Sequence, residues 1–193
     1  MQKKDNKYPN KVWETAPDVW KTESAYWIYI RGQLRNIWRF FPPKNKFKAA
    51  RAIPNFKGSG VTNPRVKKVV QCEYCKDWFP ASATEIDHIQ QVGRLKSYED
   101  VPDFLYKLLA MPDNMQILCR DKCHKTKSYA ERMGISMEDA FIEKECIAFS
   151  KLPPDKQLSI LKAAGIDCSK LKNAAQRKDK YRTHLRGNRE TID

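Results

Sequence analysis

Four cysteines stand as two close pairs, Cys72-Glu73-Tyr74-Cys75 and Cys119-Arg120-Asp121-Lys122-Cys123. Asp87-His88 and Asn114 lie between the pairs, and His124 directly follows the second. Thiolates presented as two such pairs can close a tetrahedron around Zn²⁺, which takes four soft ligands at about 2.3 Å in structural sites. The competing reading is four unrelated buried cysteines or two disulfides. The 193 residues carry no recognisable secretory signal, so a reducing compartment is expected, where disulfides do not persist and paired cysteines hold metal. Cys146 and Cys168 lack close partners and fall in helix-like sequence, where they are expected as small core residues.

The residues between the pairs are of a different kind. An Asp-His dipeptide, an Asn and a second His are side chains able to hold a hard cation and activate water. Asp87-His88 sits in the strand-like run Ile86–Ile89. Alternation puts Ile86 and His88 on one face and Asp87 and Ile89 on the other, so a site that uses both needs the strand to end or bend there. Alone, such a dipeptide is equally a hydrogen-bonded structural pair. His124 adds to it because it follows a zinc-ligand candidate and falls in the first turn of a helix expected over Lys122–Met133.

The segment Cys72–Lys127 resembles the HNH endonucleases, the ββα-metal nucleases. It is most similar to phage-encoded members, whose motif reads roughly Cys-x2-Cys, Asp-His-Ile, Gln-x-Leu-Cys, Cys-His and a Lys. The resemblance implies His88 as general base, Asp87 and His124 as ligands of a catalytic cation, and Asn114 as the middle residue, which either orients the loop bearing the His or binds the metal directly. It also implies a structural Zn²⁺ on Cys72, Cys75, Cys119 and Cys123, and the cytoplasm of a bacterial host as the location. Phage packaging proteins are partners suggested by resemblance alone. The sequence departs from the family pattern in the x3 spacing of the second pair, and from some members in having Ser128 where a further His ligand can stand.

The residue types suit that chemistry. Phosphodiester hydrolysis needs a base for water, a cation for the charge of the pentacovalent phosphorane, and protonation or metal contact for the leaving oxygen. Imidazole, which ordinarily titrates near pH 6.5, suits the first task. One carboxylate and one imidazole suit Mg²⁺, Mn²⁺ or Ni²⁺ with positions left open for phosphate and water. Lys127 follows His124 by three residues and would share its helix face, either contacting phosphate or lying solvated.

Charge points to a polyanionic partner, double-stranded DNA foremost. The net charge is +14. Residues 1–70 hold 16 Lys and Arg against 4 acids, residues 71–132 hold 9 against 10, and residues 133–193 hold 12 against 9. A near-neutral cleavage module beside a cationic segment suits electrostatic capture by one part and chemistry in another. No long apolar segment or lipidation motif supports a membrane partner.

The elements that must position these residues follow from periodicity. Thr22–Phe41 reads as an amphipathic helix stopped by Pro42-Pro43, with Trp27, Ile30, Leu34, Ile37 and Phe41 as its apolar stripe. Arg31, Arg35 and Arg39 form a second stripe, one residue every turn at about 6 Å, the spacing of successive phosphates on one strand. Pairing with acids of the same chain is the alternative. Lys44–Arg51 is a further basic stretch, and Gly58-Ser59-Gly60 reads as a flexible connection. Ser97-x-x-Asp100 opens a helix with Val101, Phe104, Leu105, Leu108 and Leu109 on its apolar face. Ser136-x-x-Asp139 opens another to about Ser150, and a third spans about Lys156–Ala164. Beyond Ile166 the chain turns polar and basic. That tail reads as a helical DNA clamp, an oligomerisation element or a partly disordered segment.

The expected fold is α+β and mostly helical. A zinc-stapled ββα core at 61–134 lies between a basic, Trp- and Arg-rich helical arm at 1–60 and a helical extension at 135–193. Two functions compete: a metal-dependent DNA endonuclease acting as monomer or dimer, and a non-catalytic zinc-ribbon DNA-binding or assembly protein with structural histidines. Asp87, His88, Asn114 and His124 occurring together favour the enzyme, since a zinc ribbon needs none of them.

Overall fold

The computed structural model describes residues 11–190, with side chains to residue 187; the first ten residues of the basic arm and the last three of the extension lie outside the described residues. The fold is α+β and mostly helical, and the chain divides into two compact units at Asp121/Lys122.

In the first unit, α1 (Val12–Thr15) precedes α2 (Glu23–Arg39). The side chain of Thr22 caps α2 by accepting from the Ala25 N–H at 3.1 Å. This satisfies one of the orphan donors of the first turn. The helix ends before Pro42-Pro43, which occupy the first turn of α3 (Pro42–Arg51), where a missing N–H costs nothing. The stripe that α2 buries is Tyr26, Trp27, Ile30, Leu34 and Trp38. Trp38 takes the place expected for Ile37, which is 48% exposed.

Three antiparallel strands, β1 (Ile53–Pro54), β2 (Lys68–Gln71) and β3 (Trp78–Pro80), form one sheet in sequence order. Between β1 and β2 the Gly58-Ser59-Gly60 segment is a folded turn. Ser59 is buried and donates to Asn55 Oδ1 at 2.6 Å, Asn55 donates to the Val61 carbonyl, and Gly60 takes the left-handed conformation that glycine tolerates best. Polar side chains that satisfy one another locally replace the flexible connection expected from composition.

The second sheet is a single antiparallel pair, β4 (Thr84–His88) and β5 (Met115–Cys119), with Thr84 opposite Cys119 and His88 opposite Met115. The connection between these strands contains the Ser97–Asp100 capping box and then α4 (Val101–Leu108). Phe104 and Leu108 of α4 join Tyr26, Trp27, Val92 and Leu95 in one core cluster; Phe47, Val70, Ile86, Met115 and Ile117 form a second, and Trp38 packs against both. The basic N-terminal helices therefore share a core with the strands that carry Asp87-His88.

The second unit holds α5 (Lys125–Met133), α6 (Met137–Ser150), α7 (Pro154–Ala163) and α8 (Ala174–Glu190). Ser136 caps α6 through the Asp139 N–H at 3.0 Å, and Gly134 ends α5 at φ 66°. The polar tail is a folded helix in α8. Arg182 pairs with Glu143 at 2.6 Å, Arg186 with Asp139 at 3.0 Å, and Tyr181 stacks on Phe149 at 4.3 Å. Buried Arg177 donates to Gln157 Oε1 at 2.7 Å, and Gln157 donates in turn to the Leu152 carbonyl at 2.8 Å. Partners on α6 and α7 thus order a segment whose composition alone is compatible with disorder. Cys146 is buried on α6 and Cys168 half-buried beyond α7. Among the described residues no helix is long and apolar enough to cross a membrane.

Candidate functional site

The first cysteine pair lies in the turn joining β2 to β3. The Cys72 N–H donates to the Asp77 carbonyl and the Lys76 N–H to the Cys72 carbonyl, both at 2.9 Å, while Lys76 adopts φ 61° to close the turn. A non-glycine residue there is uncommon and marks a turn held by its surroundings. Glu73 ties the turn to β5: its N–H donates to the Ile117 carbonyl at 2.8 Å, and its carboxylate accepts from the Ile117 N–H at 3.2 Å. The second pair begins at the end of β5, and the one-turn π-helix Arg120–His124 brings Cys123 round.

The sulfurs of Cys72, Cys75, Cys119 and Cys123 all lie within 4.8 Å of one another, and no other group of three or more His, Cys, Asp or Glu ligand atoms among the described residues is this close. A tetrahedron with metal–sulfur bonds of about 2.3 Å has edges of about 3.8 Å, so these four cysteines fit a metal such as zinc. Burial by itself would raise the Cys72 thiol. Hydrogen bonds from the backbone N–H groups of Cys119, Cys75 and Tyr74, and from the Cys75 side chain, outweigh it and hold Cys72 below the ordinary thiol range. Donors aimed at sulfur favour the thiolate, which is the metal-binding form.

The Asp-His dipeptide ends β4, and burial alternates along the strand as expected: Thr84, Ile86 and His88 inside, Glu85 and Asp87 half-buried. Asp87 and His88 therefore leave the strand on opposite faces. Just past the strand, the Asn114 side-chain oxygen accepts from the Gln90 N–H at 2.7 Å and its carbonyl accepts from the Ile89 N–H at 3.0 Å. Asn114 thus ties the two residues that follow His88 to the start of β5. Gln116 reaches the His88 carbonyl at 3.3 Å from the opposing strand.

His88 is 7% exposed. Its Nε2 lies 2.8 Å from the Leu108 carbonyl oxygen. A carbonyl only accepts, so Nε2 carries the proton and Nδ1 is the basic nitrogen of the neutral ring. The indole of Trp38 lies against the imidazole with ring centroids 4.2 Å apart and planes 34° from parallel. Neither Trp38 nor Leu108 was a sequence-predicted site residue. Trp38 was legible as the i+4 neighbour of Leu34 on the apolar stripe, whereas a backbone carbonyl leaves no sequence signal.

His124 ends the π-helical turn and is half-buried at the start of α5. On α5, the Lys127 side chain is 14% exposed and pairs with Glu131, one turn on. Arg31 and Arg39 form no ion pair among the described residues, and the Arg39 guanidinium lies 5.5 Å from the Phe40 ring. Arg35 is exposed. Other basic side chains of this unit are committed: Arg120 to Glu85 at 2.7 Å and Arg51 to Glu73 at 3.8 Å. Lys48 donates to the Thr84 carbonyl at 2.7 Å, and burial pushes its ammonium below the usual lysine range. Replacing Arg31, Arg35 and Arg39 together by Gln should weaken duplex DNA binding and make the slope of log K against log salt shallower by about three units at most, measured by anisotropy titration. An unchanged slope assigns the stripe to contacts within the chain.

No protein-family model, curated protein or solved structure matches this chain.

Proposed function

We propose that this protein is a metal-dependent endonuclease of the HNH type that hydrolyses phosphodiester bonds of double-stranded DNA. The observation that carries the reading is the end of β4: Nε2 of His88 lies against the Leu108 carbonyl, which fixes the ring's orientation, and Asn114 fixes the loop that follows. A base oriented by a hydrogen bond to its other nitrogen is the arrangement general-base catalysis uses. Chain order supports it as well: the strand ending in Asp87-His88, the antiparallel strand introduced by Asn114, then His124 at the head of a helix.

In this reading His88 takes a proton from the attacking water at Nδ1, and the Leu108 carbonyl steadies the imidazolium that results. Asp87 and His124 hold a divalent cation, Mg²⁺, Mn²⁺ or Ni²⁺, which supplies charge stabilisation to the phosphorane and the leaving oxygen. Asn114 acts by positioning the His88 loop. The four cysteines hold a structural Zn²⁺ that staples the β2–β3 turn to the end of β5. The basic helices α2 and α3 contribute the field that draws DNA. Phage packaging proteins and the cytoplasm of a bacterial host belong to the same reading and rest on the motif resemblance.

One observation favours the second reading, a zinc-ribbon DNA-binding or assembly protein without catalysis: His88 is as buried as a core residue and covered by Trp38. A supercoiled-plasmid assay with purified protein, with and without Mg²⁺ or Mn²⁺, separates the two. Metal-dependent conversion to nicked or linear product is the expected result, whereas binding without any conversion assigns the zinc-ribbon function.

A further inference from the structure

A concave feature lies within the first unit. Ser24, Trp27 and Arg31 of α2 face Arg94, Leu95 and Lys96 across a cleft of about 620 Å³. The segment carrying Arg94 and Lys96 belongs to the loop that leaves β4 after His88, and its apolar residues anchor it. Val92 and Leu95 are buried with Tyr26 and Trp27, and the exposed Arg94 and Lys96 flank the Leu95 anchor. The Asp100 carboxylate then accepts from the backbone N–H groups of Lys96 at 2.8 Å and Ser97 at 3.0 Å, which fixes the far end of the segment. These cations therefore project from an ordered backbone.

Their charges outnumber the acids of the cleft wall. Arg31, Arg94 and Lys96 make no side-chain hydrogen bond or ion pair among the described residues. The one carboxylate in the cleft wall, Glu23, accepts from Trp27 Nε1 at 3.3 Å. Three cations facing one carboxylate in a concave, partly apolar site concentrate positive potential there. Two guanidiniums offer planar forks that match phosphate oxygens and the lysine adds a point charge. Ile28, 57% exposed in the same wall, offers apolar surface for a sugar ring.

Chain connectivity limits how far this cleft lies from the Asp-His element. Arg94 follows His88 by six residues, so the two backbones are at most about 20 Å apart, a length of about six base pairs at 3.4 Å per step. Resting on the nuclease reading above, we infer that the Arg31–Arg94–Lys96 cleft binds the sugar–phosphate backbone of the DNA within about six base pairs of the bond to be cut.

The test uses the full chain and a short fluorescein-labelled duplex, titrated by anisotropy over a series of salt concentrations. Arg94→Gln/Lys96→Gln should bind more weakly, with a salt slope shallower by about 1.8, the loss of two phosphate contacts. The control Lys162→Gln/Lys170→Gln, on exposed positions of the second unit, should leave the slope within a few tenths of wild type. Equal effects of the two pairs, an unchanged slope in the cleft pair, or a wild type that does not bind duplex DNA each overturns the cleft. Retained binding with an altered slope only toward an acidic peptide also overturns it. Plasmid conversion is scored separately. Wild type that binds with the expected slopes and cuts nothing removes the nuclease reading and leaves the backbone contact standing, whereas wild type that cuts with unaltered slopes in the cleft variant removes the contact alone.

Discussion

Cys72→Ser or Cys119→Ser should yield unstable or insoluble protein, while Cys168→Ser remains soluble and keeps its metal. Protein purified without added zinc should contain about one tightly held Zn²⁺ per chain by elemental analysis. The size of the effect follows from two magnitudes. Structural zinc contributes about 10–16 kcal/mol of apparent binding free energy in small zinc-dependent folds, and the total stability of a domain is about 5–15 kcal/mol. Losing the metal therefore competes with the whole stability of the unit it staples. The local architecture agrees, because the β2–β3 turn is short, its sheet has strands of two to four residues, and its main attachments to β5 are Glu73 and the cysteines. Since the thiolate is the ligand, chelation or a fall in pH that protonates sulfur should release the metal and unfold this part, followed by far-UV circular dichroism. Zinc-free wild type with a fully cooperative unfolding transition would falsify the assignment.

Much of the frame around this site was legible because its signals are local. Thr22 and Ser136 cap the helices they precede, Pro42-Pro43 separates α2 from α3, and Asp87-His88 ends a strand whose burial alternates. Cysteine spacing anticipated a cluster because two pairs at x2 and x3 can meet only if the turns bearing them converge, and they do. What escaped depends on contacts distant in sequence. Nothing local shows that Trp38 covers His88, that the imidazole bonds a carbonyl at the end of α4, or that Arg94 and Lys96 share a cleft with Arg31. α8 escaped for a related reason: its polar sequence becomes ordered only through Glu143, Asp139, Phe149 and Gln157 on neighbouring helices. In the Gly58–Gly60 turn, glycine composition suggested freedom, but the Asn55 and Ser59 side chains satisfy the backbone and remove it.

His88→Ala should lose cleavage on the order of 10²-fold or more, with DNA affinity and zinc content nearly unchanged. Alanine also removes the donor to the Leu108 carbonyl and the ring beneath Trp38, and an unsatisfied buried acceptor alone costs about 1–3 kcal/mol. Loss of activity through misfolding must therefore be separated from loss of a base. His88→Gln does this, because its amide can still donate to the carbonyl yet has no basic nitrogen at neutral pH. It should fold, hold zinc and remain as inactive as the alanine variant. Asp87→Ala and His124→Ala should behave differently. Each removes a proposed ligand and weakens the cation while leaving the base, so their activity should recover in part at high Mn²⁺, whereas neither His88 variant should. Asn114→Ala should fall between them, with reduced turnover and no metal rescue, because it frees the loop at Gln90, while the backbone bond from Ile89 remains, without touching base or cation. Full activity in folded His88→Gln, or its rescue by metal alone, would show that the roles are assigned wrongly. The burial of His88 under Trp38 would then stand as a structural feature of a zinc-ribbon DNA-binding protein.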